Sequence, residues 1–292
     1  MKTLKKALKI AGWVLLTVVA TAGIFYTYAS YRVNTRLDKT YNVTPERLII
    51  PGDSASIAAG KHLVDIKGCR DCHGDNMEGK LIANDMLLGT IAGPNLTRGN
   101  GGLPKDYKTE NWVKAIHHGV DSNNYPLIVM PSLETSKMSK EDLQAMIAYL
   151  ESLPPVDNTV PESSFGIMIK TIVHLEVADM IPAEKIDHTA PITTNVNTSS
   201  PKALGEYLSV MCSGCHRENF KGGPPLAPGF PPAPDISATG AAGRWTEEQF
   251  VTALRTAQRP DGTVLDPNMP VQMTKHYTDD ELHALYVFLR SI

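Results

Sequence analysis

Hydrophobic and polar positions along this chain fall into three patterns. The first is an unbroken run: no Lys, Arg, Asp or Glu occurs in the 22 residues from Ile10 to Tyr31, which is long enough to cross a bilayer as one helix. The second is helical periodicity at two distant points. Leu143, Met146, Ile147 and Leu150, and again Leu282, Leu285, Tyr286 and Leu289, recur at i, i+3, i+4 and i+7, so each set forms one apolar stripe on an amphipathic helix. The third is negative: no segment shows the apolar/polar alternation of a half-buried strand, and the expected fold is all-α.

Superposing the two amphipathic helices exposes an internal repeat. Residues Ser139 to Leu153 align without a gap on Thr278 to Ile292 at an offset of 139. Ser139 with Asp142, and Thr278 with Glu281, stand where an N-cap satisfies first-turn amides. A second match, at an offset of 138, sets Glu110–Ile116 on Glu248–Leu254 and predicts a middle helix in each unit. One duplication of this kind organises the chain as two copies of one fold. Pro154-Pro155 ends the first copy, and residues 156–200 carry none of the repeat. They read as a linker closing in a Thr/Ser/Asn/Pro tract, Thr189 to Pro201, expected to be extended. Its apolar stretch from Phe165 to Leu175 is expected to be a short helix packed on one domain, with an interfacial or partner-binding segment as the alternative. The expected division is an N-terminal segment 1–38, a first domain 52–155, a linker 156–200 and a second domain 201–292.

Charge separates the N-terminal segment from the rest. Residues 1–39 hold seven Lys/Arg against one Asp, a balance of +6, and the remaining 21 Lys/Arg against 30 Asp/Glu leave −9 on residues 40–292. Lysines 2, 5, 6 and 9 precede the apolar run, and Trp13, Tyr26, Tyr28 and Tyr31 sit near its ends, a pattern that keeps the lysines in the cytoplasm and the aromatic residues at the interfaces. Residues 10–31 are therefore expected to anchor the chain in the cytoplasmic membrane, with the bulk on the outer, periplasmic side. The rival reading is a signal peptide cleaved at Ala20-Thr21-Ala22; it exports the protein equally. The acidic body excludes a nucleic-acid binder, whose affinity rests on Lys/Arg neutralising phosphates.

The four cysteines form two close pairs, in Cys69-Arg-Asp-Cys72-His73 and Cys212-Ser-Gly-Cys215-His216. Each pentapeptide reads as a haem attachment site. Cysteines three apart at a helix end reach the two vinyl groups on one haem edge, and the adjoining histidine points at the iron. A thiol redox pair or half of a zinc site could share one such motif, but two copies at equivalent points of a repeat, 143 residues apart, favour two covalently bound haems c over one shared ion. A low-spin electron-transfer haem takes a sixth ligand, commonly a methionine sulfur. Met130 lies nine residues before Ser139 and Met269 nine before Thr278, and each precedes a proline, so these two are the expected axial ligands opposite His73 and His216. Met138 faces Tyr277 and Met273 faces Glu134 across the repeat, while His117 and His118 face Arg255 and Thr256. Those two histidines are expected to line a pocket or the surface, and His62, His174, His188, His276 and His283 to be solvated or packed.

With these motifs in place, the two units resemble class I cytochromes c and the whole resembles the membrane-bound dihaem cytochrome c family, over about residues 53–155 and 201–292. The resemblance implies an N-terminal helix that ends at the haem-binding pentapeptide and crosses a C-terminal helix. Gly60 and Gly205 match the small residue at that crossing, and Tyr149 and Phe288 its aromatic partner. It also implies a proline carbonyl that orients the ligand histidine, matched by Pro94 and, in a proline-rich loop from Gly222, by Pro234.

The expected role is transfer of single electrons between redox protein partners: a dehydrogenase, a quinol-oxidising complex, a terminal oxidase or a soluble cytochrome. Irons held by His and Met leave no open position for substrate, which sets a carrier ahead of a peroxidase or thiosulfate-oxidising enzyme. A permanent cytochrome subunit of a larger dehydrogenase or oxidase complex is the alternative, with the same chemistry.

Overall fold

In the computed structural model, which describes residues 2–178, 180–226 and 230–292, the apolar run belongs to one helix, α1 (Lys2–Leu37), long and apolar enough to cross a membrane. At 1.5 Å per residue its 36 residues reach about 54 Å, well beyond a hydrocarbon core of about 30 Å. The C-terminal excess is used in the fold, since Ala29 and Val33 are completely buried.

The first repeat unit follows as α2 (Ser54–Ile66), α3 (Cys69–His73), α4 (Thr109–His118), α5 (Ser132–Thr135) and α6 (Lys140–Glu151). The second runs α8 (Pro201–His216), α9 (Glu247–Thr256), α10 (Val271–Thr274) and α11 (Asp279–Arg290), after a linker helix α7 (Ile167–His174). One difference between the units is local. Gly68 adopts a left-handed φ of 72° and separates α2 from α3, whereas α8 runs unbroken through Cys212 to His216. The predicted caps form: Ser139 Oγ accepts from Asp142 N, and Thr278 and Glu281 close a capping box on α11.

In each unit the first and last helices cross in direct contact. A methyl group on Gly60 would lie 1.9 Å from the Ala145 carbonyl oxygen and 2.9 Å from Tyr149 Cβ; on Gly205 it would lie 2.0 Å from the Ala284 oxygen and 2.7 Å from Phe288 Cβ. Only glycine permits backbones that close. Apolar residues from both units, among them Ile66, Met77, Leu143, Ile147, Leu208, Phe250, Leu282 and Leu285, join in a single buried cluster.

The predominantly helical expectation meets one local exception. Strands β1 (Lys80–Asp85) and β2 (Gly89–Gly93) form an antiparallel hairpin, and β3 (Ser164–Phe165) adds to β2. Asp85 Oδ1 accepts from both Leu87 N and Leu88 N at 2.8 Å, which shapes the turn. The sequence shows no alternation here because β1 buries neither face and carries a bulge between Leu81 and Ala83; without a buried face there is no period-2 pattern.

The linker helix does not pack on the main core. Ile169 and Val173 of α7 bury against Val33 and Leu37 of α1, with Leu88, Ile91 and Ile128 of the first unit around them. The Thr189–Pro201 tract forms no helix or strand before Pro201. It is nonetheless held, because Ile192 is buried in the main core and Thr193 O accepts from Lys140 N at 2.8 Å.

Candidate haem centres

The second CxxCH pentapeptide ends α8 and the first forms α3 directly after α2, so each histidine follows a helix fixed by its glycine crossing. His73 Nδ1 donates to Pro94 O at 2.9 Å, and His216 Nδ1 donates to Pro234 O at 2.8 Å. The loops that carry the prolines also match. Leu96 N donates to Met77 O and Ile236 N to Phe220 O, while Asn95 Oδ1 and Asp235 Oδ1 each accept from the amide two residues on. Of the proline-rich loop, residues 227–229 lie outside the described part of the chain, yet Pro234 occupies the counterpart position of Pro94.

Burial lowers the pKa of both imidazoles, and the carbonyl contacts only partly offset it. Each ring is therefore neutral with its proton on Nδ1, which leaves the Nε2 lone pair available to a metal. Cys69, Cys72, Cys212 and Cys215 form no disulfide. Burial pushes Cys69 up to about 12 and Cys212 up to about 11, and raises Cys72 and Cys215 as well. A thiol redox pair works through a lowered thiolate pKa, so the environment of these four opposes that reading.

Met130 and Met269 are half-buried and sit on matched backbone. Ser132 N donates to Met130 O and Val271 N to Met269 O, both at 2.8 Å, and Pro131 and Pro270 cap α5 and α10 with φ of −78°. Thr135 Oγ1 and Thr274 Oγ1 then tie these short helices to α4 and α9 through Ile116 O and Leu254 O, each at 2.6 Å. Met138 is a core side chain at 1% exposure, and Met273 packs in the core with its sulfur against Gly68.

His117 and His118 are both buried at the end of α4, not on the surface. His118 and His188 approach through their Nδ1 atoms at 3.3 Å, and His188 Nε2 donates to Ala183 O; burial, with the two neighbouring histidines, pushes His118 down to about 4.

The two attachment segments also lie against the opposite unit. Gly68 abuts Met273 of α10, and Gly214 abuts Glu134 of α5, so each site meets the counterpart of its own short helix in the neighbouring unit. Lys67, 4% exposed, lies at this junction with its ammonium 5.5 Å from the Tyr207 ring centroid. Two side chains that the repeat did not single out, Tyr207 and His62, complete it, and a third, Arg70, braces the first attachment segment within its own unit. Tyr207 Oη accepts from Ser139 N and donates to Asp142 Oδ2. His62 Nε2 meets both oxygens of Glu281 at 2.8 and 2.9 Å. Arg70 pairs with Asp65 and donates to Tyr149 Oη, tying α3 to both crossing helices. None has an equivalent polar partner in the other unit, so a search for repeated residues passes over them.

Residues 55–150 match the family model for cytochrome c oxidase, cbb3-type, subunit III, and residues 203–292 match the model for cytochrome c. The cytochrome c subunit of quinone alcohol dehydrogenase from Gluconacetobacter polyoxogenes is 26% identical over 82% of this chain and 56% of its own length. The corresponding subunit from Gluconobacter oxydans is 25% identical over 82% and 55%. The fructose dehydrogenase cytochrome subunit of Gluconobacter japonicus is 35% identical over 29% of this chain and 20% of its own. The chain thus spans about half the length of the first two relatives. A solved structure, reduced recombinant cytochrome c4 from Pseudomonas stutzeri, is 15% identical, covering 82% of this chain and 98% of that one with a TM-score of 0.23.

Proposed function

From the premise that this chain carries two cytochrome c-type domains in tandem, we propose that it is a membrane-anchored dihaem electron-transfer subunit of a dehydrogenase complex. It passes single electrons from a catalytic partner toward a respiratory acceptor. In this reading residues 52–155 and 201–292 form the two domains, joined by linker 156–200, and Cys69/Cys72 and Cys212/Cys215 each hold one haem c covalently. His73 with Met130, and His216 with Met269, are the iron ligands. The group supplies a one-electron couple at each iron.

The observation that carries the reading is the matched pair of histidine-to-proline contacts, His73–Pro94 and His216–Pro234, each at a helix end that carries the paired thiols. The chain's own part in the chemistry is positional. Pro94 O and Pro234 O hold the proton on Nδ1 and fix each ring plane, so that Nε2 is the metal-facing nitrogen. The helix crossings at Gly60 and Gly205 keep those histidines still as charge changes, which lowers the reorganisation accompanying each electron. The abutment of both attachment segments on the opposite unit supports exchange between the two centres inside one molecule. Choosing a subunit over a free shuttle rests on the names of the relatives, which are cytochrome subunits of dehydrogenases. Membrane anchoring through residues 10–31 is supported by the length and composition of α1 and by the use of its outer turns in the fold. The haem domains then face the periplasm, and the acidic body favours a basic docking surface on the partner.

Mass measurement of the denatured, full-length protein should show two haem additions; one or none refutes the dihaem assignment. Purification in mild detergent should recover a dehydrogenase subunit in stoichiometric amount; its absence refutes the subunit reading. Multiple turnovers of hydrogen peroxide, thiosulfate or a simple alcohol by the isolated chain would replace the carrier with an enzyme.

A further inference from the structure

The C-terminal end of α7 meets the outer part of α1. Counting about 20 residues of hydrocarbon span from Ile10, the first residue after the lysine cluster, places the outer boundary of the apolar core near Ala29. The linker reaches down to that level. The ring of His174, the last residue of α7, lies edge-on to Phe25 and Tyr28 with centroids 5.8 and 5.5 Å apart, and Ala29 is fully buried. Arg36, about two turns further out, holds the same segment from above, donating to Val173 O at 2.7 Å and pairing with Glu184. The turn after α7 therefore starts beside the last apolar turns of the span and leads back to the first unit, where Met180 O accepts from Val129 N.

That turn exposes two aliphatic side chains, one on each side of Glu176. Leu175 is 56% exposed and Val177 42%, and Tyr28 and Tyr31 on the neighbouring helix are 54% and 67% exposed. Glu176 between the two aliphatic residues takes a positive φ of 52°, the backbone reversal at the end of α7. An apolar edge facing water would be unfavourable, and one continuous with a membrane span has an occupant at hand. Tyrosine rings are favoured at the lipid–water boundary, and apolar side chains on an amphipathic segment bury a few ångströms into it.

We infer that Leu175 and Val177 are seated in the outer lipid–water boundary, giving the chain a second membrane contact beside α1. The inference rests on the reading of α1 as a transmembrane span. Two contacts fix what one helix cannot. A single span leaves the periplasmic body free to tilt and rotate, whereas the α7 footing, clamped to α1 by Arg36 and to the first unit through β3 and β2, sets the height and orientation of the first haem-binding unit over the membrane. A partner dehydrogenase or acceptor anchored in the same bilayer then meets that unit in a restricted set of orientations.

The test uses the full-length, haem-loaded protein in phosphatidylcholine nanodiscs, with a nitroxide label at Leu175→Cys or Val177→Cys. Ile24→Cys, on the exposed surface of the span, and Val264→Cys, on the exposed surface of the second unit, serve as references, and haem absorbance checks that each variant is folded. Power saturation with oxygen and with a water-soluble nickel chelate reports immersion. The oxygen-to-nickel accessibility ratio at 175 and 177 should be severalfold above that at 264 and approach that at 24. A lipid-like ratio at 24 with a water-like ratio at 175 and 177 overturns the footing while leaving the span intact. Shielding of 175 and 177 from both reagents would mean protein cover, and overturns it too. A water-like ratio at 24 refutes the span itself, and the footing with it.

Discussion

Replacing Gly205 by alanine sets two opposing effects against each other. Helix propensity alone favours alanine over an interior glycine by about 1 kcal/mol, so an isolated α8 would gain. In the folded chain the new methyl would lie 2.0 Å from Ala284 O and 2.7 Å from Phe288 Cβ. An ordinary carbon–oxygen contact is about 3.3 Å, so α8 and α11 must separate by about 1.3 Å. Overpacking costs about 1 to 3 kcal/mol, and here the obstacle is helix backbone, not a pliable side chain, which puts the cost at the upper end. Subtracting the propensity gain leaves about 2 kcal/mol of destabilisation. For a domain of this size each kcal/mol moves Tm by about 4 to 8 °C, so the second unit should melt about 8 to 16 °C lower. The assay is thermal unfolding of the full-length, haem-loaded protein in detergent, followed by far-ultraviolet circular dichroism at fixed redox state. Gly12→Ala, where nothing lies within 4 Å of the added methyl, is the control and should leave the transition unmoved. An unchanged or raised Tm for Gly205→Ala would refute the crossing as the close contact of the unit.

The bond between His62 and Glu281 should make the junction of the two units pH-dependent. Its hydrogen bond with Glu281 raises His62 from its ordinary 6.5; burial would raise Glu281, but bonds from His62 and the Thr278 amide hold it below its ordinary 4.5. The histidine's contribution is complete below about 6.5 and fades as pH rises through its raised folded value, while the carboxylate's is complete above about 4.5 and fades as pH falls through its depressed one. The Tm difference between wild type and His62→Ala should therefore be largest near pH 5.5 and shrink above pH 8; a difference constant across that range would contradict the ion pair. Tyr207→Phe removes the hydroxyl shared by Ser139 N and Asp142 and should cost about 1 to 3 kcal/mol in denaturant unfolding, and no measurable loss would mean that water replaces it freely. Met130→Ala and Met269→Ala should each leave haem attachment intact, diminish the sulfur-to-iron absorption of the oxidised protein and lower one potential. Unchanged spectra in both would move the axial ligands elsewhere.

The sequence by itself determined the elements whose information is local or repeated. An uncharged run of 22 residues, two helices with a 3.6-residue stripe, a pair of CxxCH pentapeptides and two Met-Pro steps in one register are visible without coordinates, because each depends on spacing along the chain. The glycines at the crossings were legible only through the resemblance to cytochromes c, since Gly60 stands nine residues before Cys69 but Gly205 seven before Cys212. Tertiary structure decided what depends on contacts between distant segments. Strand β1 left no period in the sequence because it buries no face. The apolar stretch of the linker announced a helix but not its partner; that partner is α1, and the choice follows from Val33 and Ile169 meeting in a cluster separate from the main core. His62 with Glu281, and Tyr207 with Ser139 and Asp142, join the units through side chains that lack equivalents across the repeat. A duplicated sequence specifies each copy twice but is silent on how the copies meet, since the asymmetric interface between them is built from the positions at which they differ.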